Sequence, residues 1–337
     1  MISRSPGKGF SLVEVIVVLV IIVVVATFVL PAIEIAREAS RRTICQDNMR
    51  QIGRATGQFL GTKLRFPSSS QIQQIGDERV ETWSWLAQIL PYIDHQHHDL
   101  SIEKLNWNEL PTNTEENRKA TATVVRSFIC PSYKGDRTCT ADEVTAGITN
   151  YKAIGATHFG SLEQATVGGK TEPAYSSETV SHPDGALIPA VRGLRERQYK
   201  DGISHTLLAT ETIENTFAAW TQGTHATLVG LPTTGPGRIE FTDSRWGYVK
   251  PNGFDGTFTG GEMFGNAQTY LSTDYEITPY EGLGSVGPSS EHVGVVHHLM
   301  ADGTVVPINV DINVSLYMFL ITRSSGDPTG SFNIESR

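Results

Sequence analysis

Near the C-terminus His292 stands ten residues before Asp302-Gly303, an H-x9-D-G spacing, with Ser290 just upstream. Serine, histidine and aspartate are the residue types of nucleophilic acyl transfer, in which imidazole takes the hydroxyl proton and the carboxylate orients the ring. No Gly-x-Ser-x-Gly elbow accompanies them here. Asp-Gly by itself supplies the positive φ angles that a tight hairpin turn requires. His292, Asp302 and Gly303 are therefore read as a structural motif, a hydrogen bond that fixes a hairpin, and no catalytic residue is assigned.

Other groups invite a metal or a nucleotide. His95, His97, His98 and Asp99 form one cluster and His297 with His298 a second. Adjacent histidines on a strand point to opposite faces and the clusters are about 200 residues apart, so no coordination geometry is fixed. These histidines read as solvated surface residues. No Asp-rich loop reproduces the roughly 12-residue EF-hand pattern. Gly282, Gly284 and Gly287 satisfy Gly-x-Gly-x-x-Gly. A dinucleotide site would need a strand before them and a helix after, whereas Thr278-Pro279-Tyr280 and Pro288-Ser289-Ser290 flank them, so they read as a loop. Neither a metal nor a cofactor is expected. Cys45, Cys130 and Cys139 are the only cysteines, too few for a disulfide scaffold, although one bridge could form in an oxidising compartment.

The elements that must position these residues are legible in part. Val293 to Met300 and Thr304 to Val310 flank the Ala301-Asp302-Gly303 turn as the clearest hairpin in the chain. Asp311 would cap a final helix in which Val314, Tyr317, Leu320 and Ile321 share a face. Further strands are expected at Asn150 to Ile154, Ala186 to Arg192 and His205 to Glu211. Helices are expected over Trp83 to Ile93, broken at Pro91, and over Glu115 to Phe128. Residues 62–81 read as polar and turn-rich, with Ser68-Ser69-Ser70 an exposed loop. Gly223 to Gly287 reads as long loops or short strands.

The N-terminus is of another kind. Sixteen of the nineteen residues from Leu12 to Leu30 are Leu, Ile, Val or Phe, long enough to span a bilayer as a helix. At about −0.4 kcal/mol each they favour insertion by roughly 6 kcal/mol, against about 3 for one acidic residue at the helix centre. Insertion wins, and Glu14 sits in or near hydrocarbon, where an ionisable side chain is a functional hypothesis by default. Arg4 and Lys8 precede the segment, which puts residues 1–9 in the cytoplasm and the body outside. After Pro31 the helix becomes amphipathic: Cys45, Met49, Ile52, Ala55 and Phe59 draw one apolar stripe, with Arg41, Arg42, Asp47, Arg50 and Arg54 mostly off it. A helix from Phe10 to about Gly61 would be on the order of 75 Å long. The 337-residue chain carries a net charge of −9 and no basic stripe, which argues against nucleic acid as a partner.

Gly9-Phe10-Ser11-Leu12-Val13-Glu14 resembles the prepilin signature of type IV pilins and type II secretion pseudopilins. The resemblance implies cleavage after Gly9 by a prepilin peptidase, N-methylation of Phe10, and pairing of Glu14 with the N-terminal ammonium of a neighbouring subunit during assembly. Further stretches resemble a large family of prepilin-type bacterial proteins of unknown function that carries the H-x9-D-G signature. They are Arg37-Glu38-Ala39 with Arg41-Arg42, Cys45 to Gly53, Ser84-Trp85-Leu86, Leu90-Pro91-Tyr92, Phe128 to Ser132, Thr149-Asn150-Tyr151, Asp201-Gly202 with Thr206 and Glu211, and the hairpin itself. Cys45 and Cys130 both lie in family-like motifs, so a bridge between them would staple the long helix to the head; Cys130 with Cys139, or no bridge, are the alternatives.

The expected protein is α+β: residues 1–9 a leader, 10–31 a single transmembrane helix, 32–62 its amphipathic continuation, and 63–337 an extracytoplasmic head with an antiparallel sheet. It would be a non-enzymatic, structural pilin-like or pseudopilin-like subunit of the inner membrane, its N-terminus cytoplasmic, its head periplasmic or at the cell surface, and its partners other pilin-like subunits. The alternative is a periplasmic or surface binding or adhesive module on the same anchor, using the loops from Gly223 to Gly287.

Overall fold

The computed structural model describes residues 12–75, 78–93, 104–158, 166–167, 170–171, 184–231, 288–309, 312 and 314–324. Helix α1, Leu12–Lys63, runs 52 residues without interruption through Pro31, about 78 Å at 1.5 Å per residue. Its two halves meet different surroundings. The Leu, Ile, Val and Phe residues from Leu12 to Leu30 are 44–76% exposed, whereas Cys45, Met49, Ile52 and Ala55 are at most 1% exposed against the head. Phe59 completes the expected stripe by packing edge-on to Tyr92 at 5.8 Å.

The chain then forms a hairpin, β1 (Ser70–Ile75) and β2 (Glu78–Ser84), where a turn-rich loop was expected. Ser68, Ser69 and Ser70 are buried, not exposed. Backbone polarity is met here: Gln88 accepts from the Ser68 backbone N–H at 3.2 Å, and the Ser69 N–H donates to Ile188 O at 3.0 Å. Trp83 and Ser84 close β2, so the expected helix over Trp83 to Ile93 begins later, as α2 (Trp85–Ile89) and a 3-10 turn at Leu90–Tyr92. Ser84 Oγ caps α2 by accepting from the Ala87 N–H at 3.0 Å. Pro91 sits in the first turn of the 3-10 segment, where a missing N–H leaves no bond unmade.

Helix α3 is shorter than expected, Glu115–Ala122, because Thr123 turns extended at ψ 128° ahead of the β-branched pair Val124-Val125; a 3-10 turn follows at Arg126–Phe128. Strands β3 (Thr138–Ala141) and β4 (Val144–Gly147) pair around Asp142-Glu143, both at positive φ, as a two-residue primed turn demands. Next come β5 (Tyr151–His158), the short pair β6 (Thr166–Val167) and β7 (Lys170–Thr171), β8 (Leu207–Glu211) and β9 (Thr227–Leu231). Ala186 to Arg192 is not a strand. It is coil, buried from Ala186 to Ala190 and exposed at Val191 and Arg192, whose one bridge joins Ala190 to Gln71.

The hairpin near the C-terminus is present as β10 (Val295–Met300) and β11 (Val305–Asn309), and the final helix as α4 (Val314–Ile321). Asp311, the expected cap, lies outside the described residues. The central sheet runs β11-β10-β8-β5-β9, antiparallel except for the parallel pair β5–β9. Strand alternation, interrupted by a register shift where Met300 pairs with Leu207, gives it two faces. Leu299, Ala209, Ala153 and Tyr151 pack in the same core as Cys45, Met49 and Ile52 of α1, while Val296, Met300 and Leu207 pack with Tyr317, Leu320 and Ile321 of α4.

Helix α1 crosses the β10–β11 turn backbone to backbone. A Cβ on Gly53 would stand 3.1 Å from Gly303 Cα and 2.9 Å from Leu299 Cδ1, and Gly303 itself has φ +91°. Gly303 is favoured by its conformation, and Gly53 by the close approach, where a Cβ would force its neighbours to shift.

Candidate functional site

On the α1 face, side chains from distant parts of the chain converge. Cys45 comes from the stalk helix, Cys130 from the turn after the 3-10 segment Arg126–Phe128, Glu211 from the end of β8 and His292 from the approach to β10. One donor atom from each lies within 4.8 Å of all the others. None of the four is more than 4% exposed. Cys45 Sγ is 3.0 Å from Glu211 Oε2, Cys130 Sγ is 3.4 Å from His292 Nε2, and His292 Nε2 is 4.0 Å from Glu211 Oε2.

The atoms that face away from this point are held separately. His292 Nδ1 donates to Glu38 Oε1 at 2.7 Å, and Glu38 also accepts from Ser132 Oγ at 3.1 Å and Arg41 Nε at 2.8 Å. Glu211 Oε1 accepts from the backbone N–H of His297 at 2.7 Å and from its Nδ1 at 2.8 Å. With Nδ1 donating, His297 Nε2 accepts from Gln46 at 3.0 Å and from Arg42 at 3.4 Å, both on α1. Tyr151 donates its hydroxyl to Cys45 Sγ at 3.2 Å.

Charge in this pocket is distributed unevenly. Hydrogen bonding to Cys130, then burial and the Glu211 carboxylate, push the Cys45 thiol far up. The same bond pulls the Cys130 thiol down to about 6, against burial and with help from His292. Burial works against the charged form of His292, but Cys130, Glu211 and Glu38 outweigh it and raise the imidazole to about 9. Burial likewise opposes the Glu211 carboxylate, and His297, His292 and Cys45 hold it below the usual range.

A second buried group of charges lies beside β5. Lys152 and Glu214, both buried, form an ion pair; Lys152 Nζ also donates to Phe217 O at 2.6 Å, and the other Glu214 oxygen accepts from the N–H groups of Thr216 and Phe217 at 2.6 and 2.7 Å. His225 lies nearby, its ring edge-on to Phe217 at 5.5 Å, and burial followed by the Lys152 charge depresses it to about 4.

The sequence-derived sites fare unequally. Asp302 does shape the turn, its Oδ1 accepting from the Thr304 N–H at 2.8 Å. His292 does not fix the hairpin through it: its ring bonds to Glu38 and Cys130 instead, because it precedes β10 and faces α1. No triad forms either, since Ser290 Oγ accepts from the His292 backbone N–H at 3.0 Å. His297 and His298 are fully buried, not solvated. They do point to opposite faces, His297 to α1 and His298 to α4, where its Nε2 meets the Tyr317 hydroxyl at 2.9 Å. Cys45 and Cys130 are brought together as thiols, while Cys139 stands apart on β3. Gly9, Phe10, His95, His97, His98, Asp99 and Gly282, Gly284 and Gly287 lie outside the described residues; Glu14 lies in the first turn of α1. Glu38, Glu211 and His297 were not read as site residues, although Glu38 and Glu211 stand in the family-like stretches; Glu211 is flanked by Thr210 and Thr212, and His297 by Val296 and His298.

A long apolar N-terminal helix bearing a mixed α+β head marks a prepilin-like, membrane-anchored subunit, and residues 4–30 match the prokaryotic N-terminal methylation motif. Residues 34–314 match the family described as protein of unknown function (DUF1559), and the chain belongs to that family. No curated protein and no solved structure matches the chain.

Proposed function

We propose that this is a structural subunit of a pilin-like or pseudopilin-like assembly, cleaved after Gly9 by a prepilin peptidase and N-methylated on Phe10. The observation that carries the reading is the division of α1 into an apolar half with 44–76% exposed side chains and a half buried under the head. Such a surface needs lipid before assembly and neighbouring helices after it. In lipid, Glu14 is costly alone and tolerable beside the N-terminal ammonium of a neighbour, so charge pairing gives assembly a direction and a register. Helix packing then replaces lipid around residues 12–31. The head stays outside the cytoplasm, tethered by residues 32–62.

Mass spectrometry of the mature protein tests the processing: it should begin at Phe10 and carry one added methyl group. A protein that begins at Met1, or well past Leu30, contradicts the reading. Glu14→Ala should still insert in the membrane but fail to cross-link to neighbouring copies there; normal cross-linking would remove Glu14 from assembly.

A further inference from the structure

Two cysteine sulfurs, one imidazole nitrogen and one carboxylate oxygen aimed at a common point form a donor set with its own chemistry. Zinc binds tetrahedrally, with metal–ligand distances of about 2.0–2.3 Å to nitrogen, oxygen and sulfur, so the edges of its ligand tetrahedron are about 3.3–3.8 Å. The separations of 3.0, 3.4 and 4.0 Å among Cys45, Glu211, Cys130 and His292 straddle that range. We propose that Cys45, Cys130, Glu211 and His292 form a zinc site that clamps the stalk helix α1 to the head.

The surrounding bonds are those that such a site needs. A ligating histidine donates its other ring nitrogen to a carboxylate or carbonyl, which fixes the ring; His292 Nδ1 does so to Glu38. A ligating carboxylate is itself hydrogen-bonded, and Glu211 gives Oε1 to His297 while Oε2 stays turned to the sulfurs. Soft thiolates disfavour calcium and magnesium, which take oxygen ligands. Four protein ligands, all buried, leave no open coordination position, so the site is structural rather than catalytic. Binding balances simply: the cation enters, the Cys45 and Cys130 thiols and the His292 Nε2 each release to solvent any proton they hold, and His292 keeps Nδ1–H on Glu38.

The consequence is mechanical. Cys45 belongs to the helix that carries the anchor and the other three ligands belong to the head, so a loaded site fixes one to the other at the end nearest the membrane segment.

The full-length protein, extracted in detergent and purified under reducing conditions, should contain one zinc per chain. X-ray absorption at the zinc edge should report two sulfur and two nitrogen or oxygen scatterers, and cobalt substitution should give a sulfur-to-cobalt charge-transfer band with tetrahedral visible bands. Cys130→Ala should abolish the cobalt spectrum, Cys139→Ser should leave it unchanged, and Glu38→Gln, which loosens the His292 ring, should weaken zinc binding about 10- to 100-fold. Zinc without sulfur scatterers, reduced wild-type protein that gives no sulfur-to-cobalt band, or natively isolated protein in which Cys45 and Cys130 are joined as a disulfide would each overturn the proposal. The wild-type absorption and cobalt spectra decide the matter even where Cys130→Ala fails to fold.

Discussion

Two of the buried polar clusters among the described residues differ in what their members face. Lys152 and Glu214 face each other, and their remaining hydrogen-bonding atoms turn to the backbone of Phe217 and Thr216. That cluster is closed: one positive charge, one negative charge, and bonds satisfied by the local chain. Cys45, Cys130, Glu211 and His292 instead face a common point, with their outer atoms held by Glu38 and His297. The first arrangement explains itself as a structural ion pair. The second brings four ligand-type atoms from separate parts of the chain within 4.8 Å of one another, which a structural pair has no reason to do.

Breaking each cluster should therefore have different effects. Lys152→Met leaves Glu214 buried and uncompensated, and denaturant unfolding of the detergent-solubilised protein should show a loss of about 3–5 kcal/mol; adding Glu214→Gln should recover much of it. His225 beside that pair gives the next largest effect. Its imidazole ordinarily titrates near 6.5 and in the fold near 4, so the unfolded chain binds the extra proton between those values. Stability should be complete above about pH 6.5 and should fall by about 3 kcal/mol as pH drops towards 4. His225→Gln should flatten that part of the stability profile.

The convergent cluster should respond less without metal. In the presence of a chelator Cys130→Ala should cost about 1 kcal/mol, since a small thiol is replaced by a methyl group. Added zinc should then raise the melting temperature of the wild type and not that of the variant. The smallest effect belongs to the surface pair Arg50–Asp47, whose side chains are 46% and 55% exposed. Arg50→Ala should change stability by no more than about 0.5 kcal/mol.

What the sequence revealed follows from periodicity. The long helix, the stripe from Cys45 to Phe59, the Asp302-Gly303 hairpin and α4 each repeat a pattern over many residues, and each is present. Isolated polar residues were opaque. The histidine pair 297–298 looked solvated because adjacency says nothing of burial, yet both rings lie inside, bonded from two different helices. Ser68 to Ser70 looked exposed for their polarity, and are buried with their backbone N–H groups at Ser68 and Ser69 bonded to Gln88 and to the backbone of Ile188. Ala186 to Arg192 has a strand's composition but packs as coil, since only Ala190 finds a bridging partner. The four-residue cluster draws on positions 45, 130, 211 and 292, and no local spacing relates them.

The close crossing of Gly53 over Gly303 makes α1 a lever. Two backbones without side chains between them form a fulcrum, with Cys45 about 12 Å along the short arm and Leu12 about 60 Å along the same line. A rotation that shifts Cys45 by a few tenths of an ångström swings the exposed far tip of the rod several times as far. Small chemistry at the sulfur of residue 45 is thus magnified into the angle between the head and the apolar half of its helix.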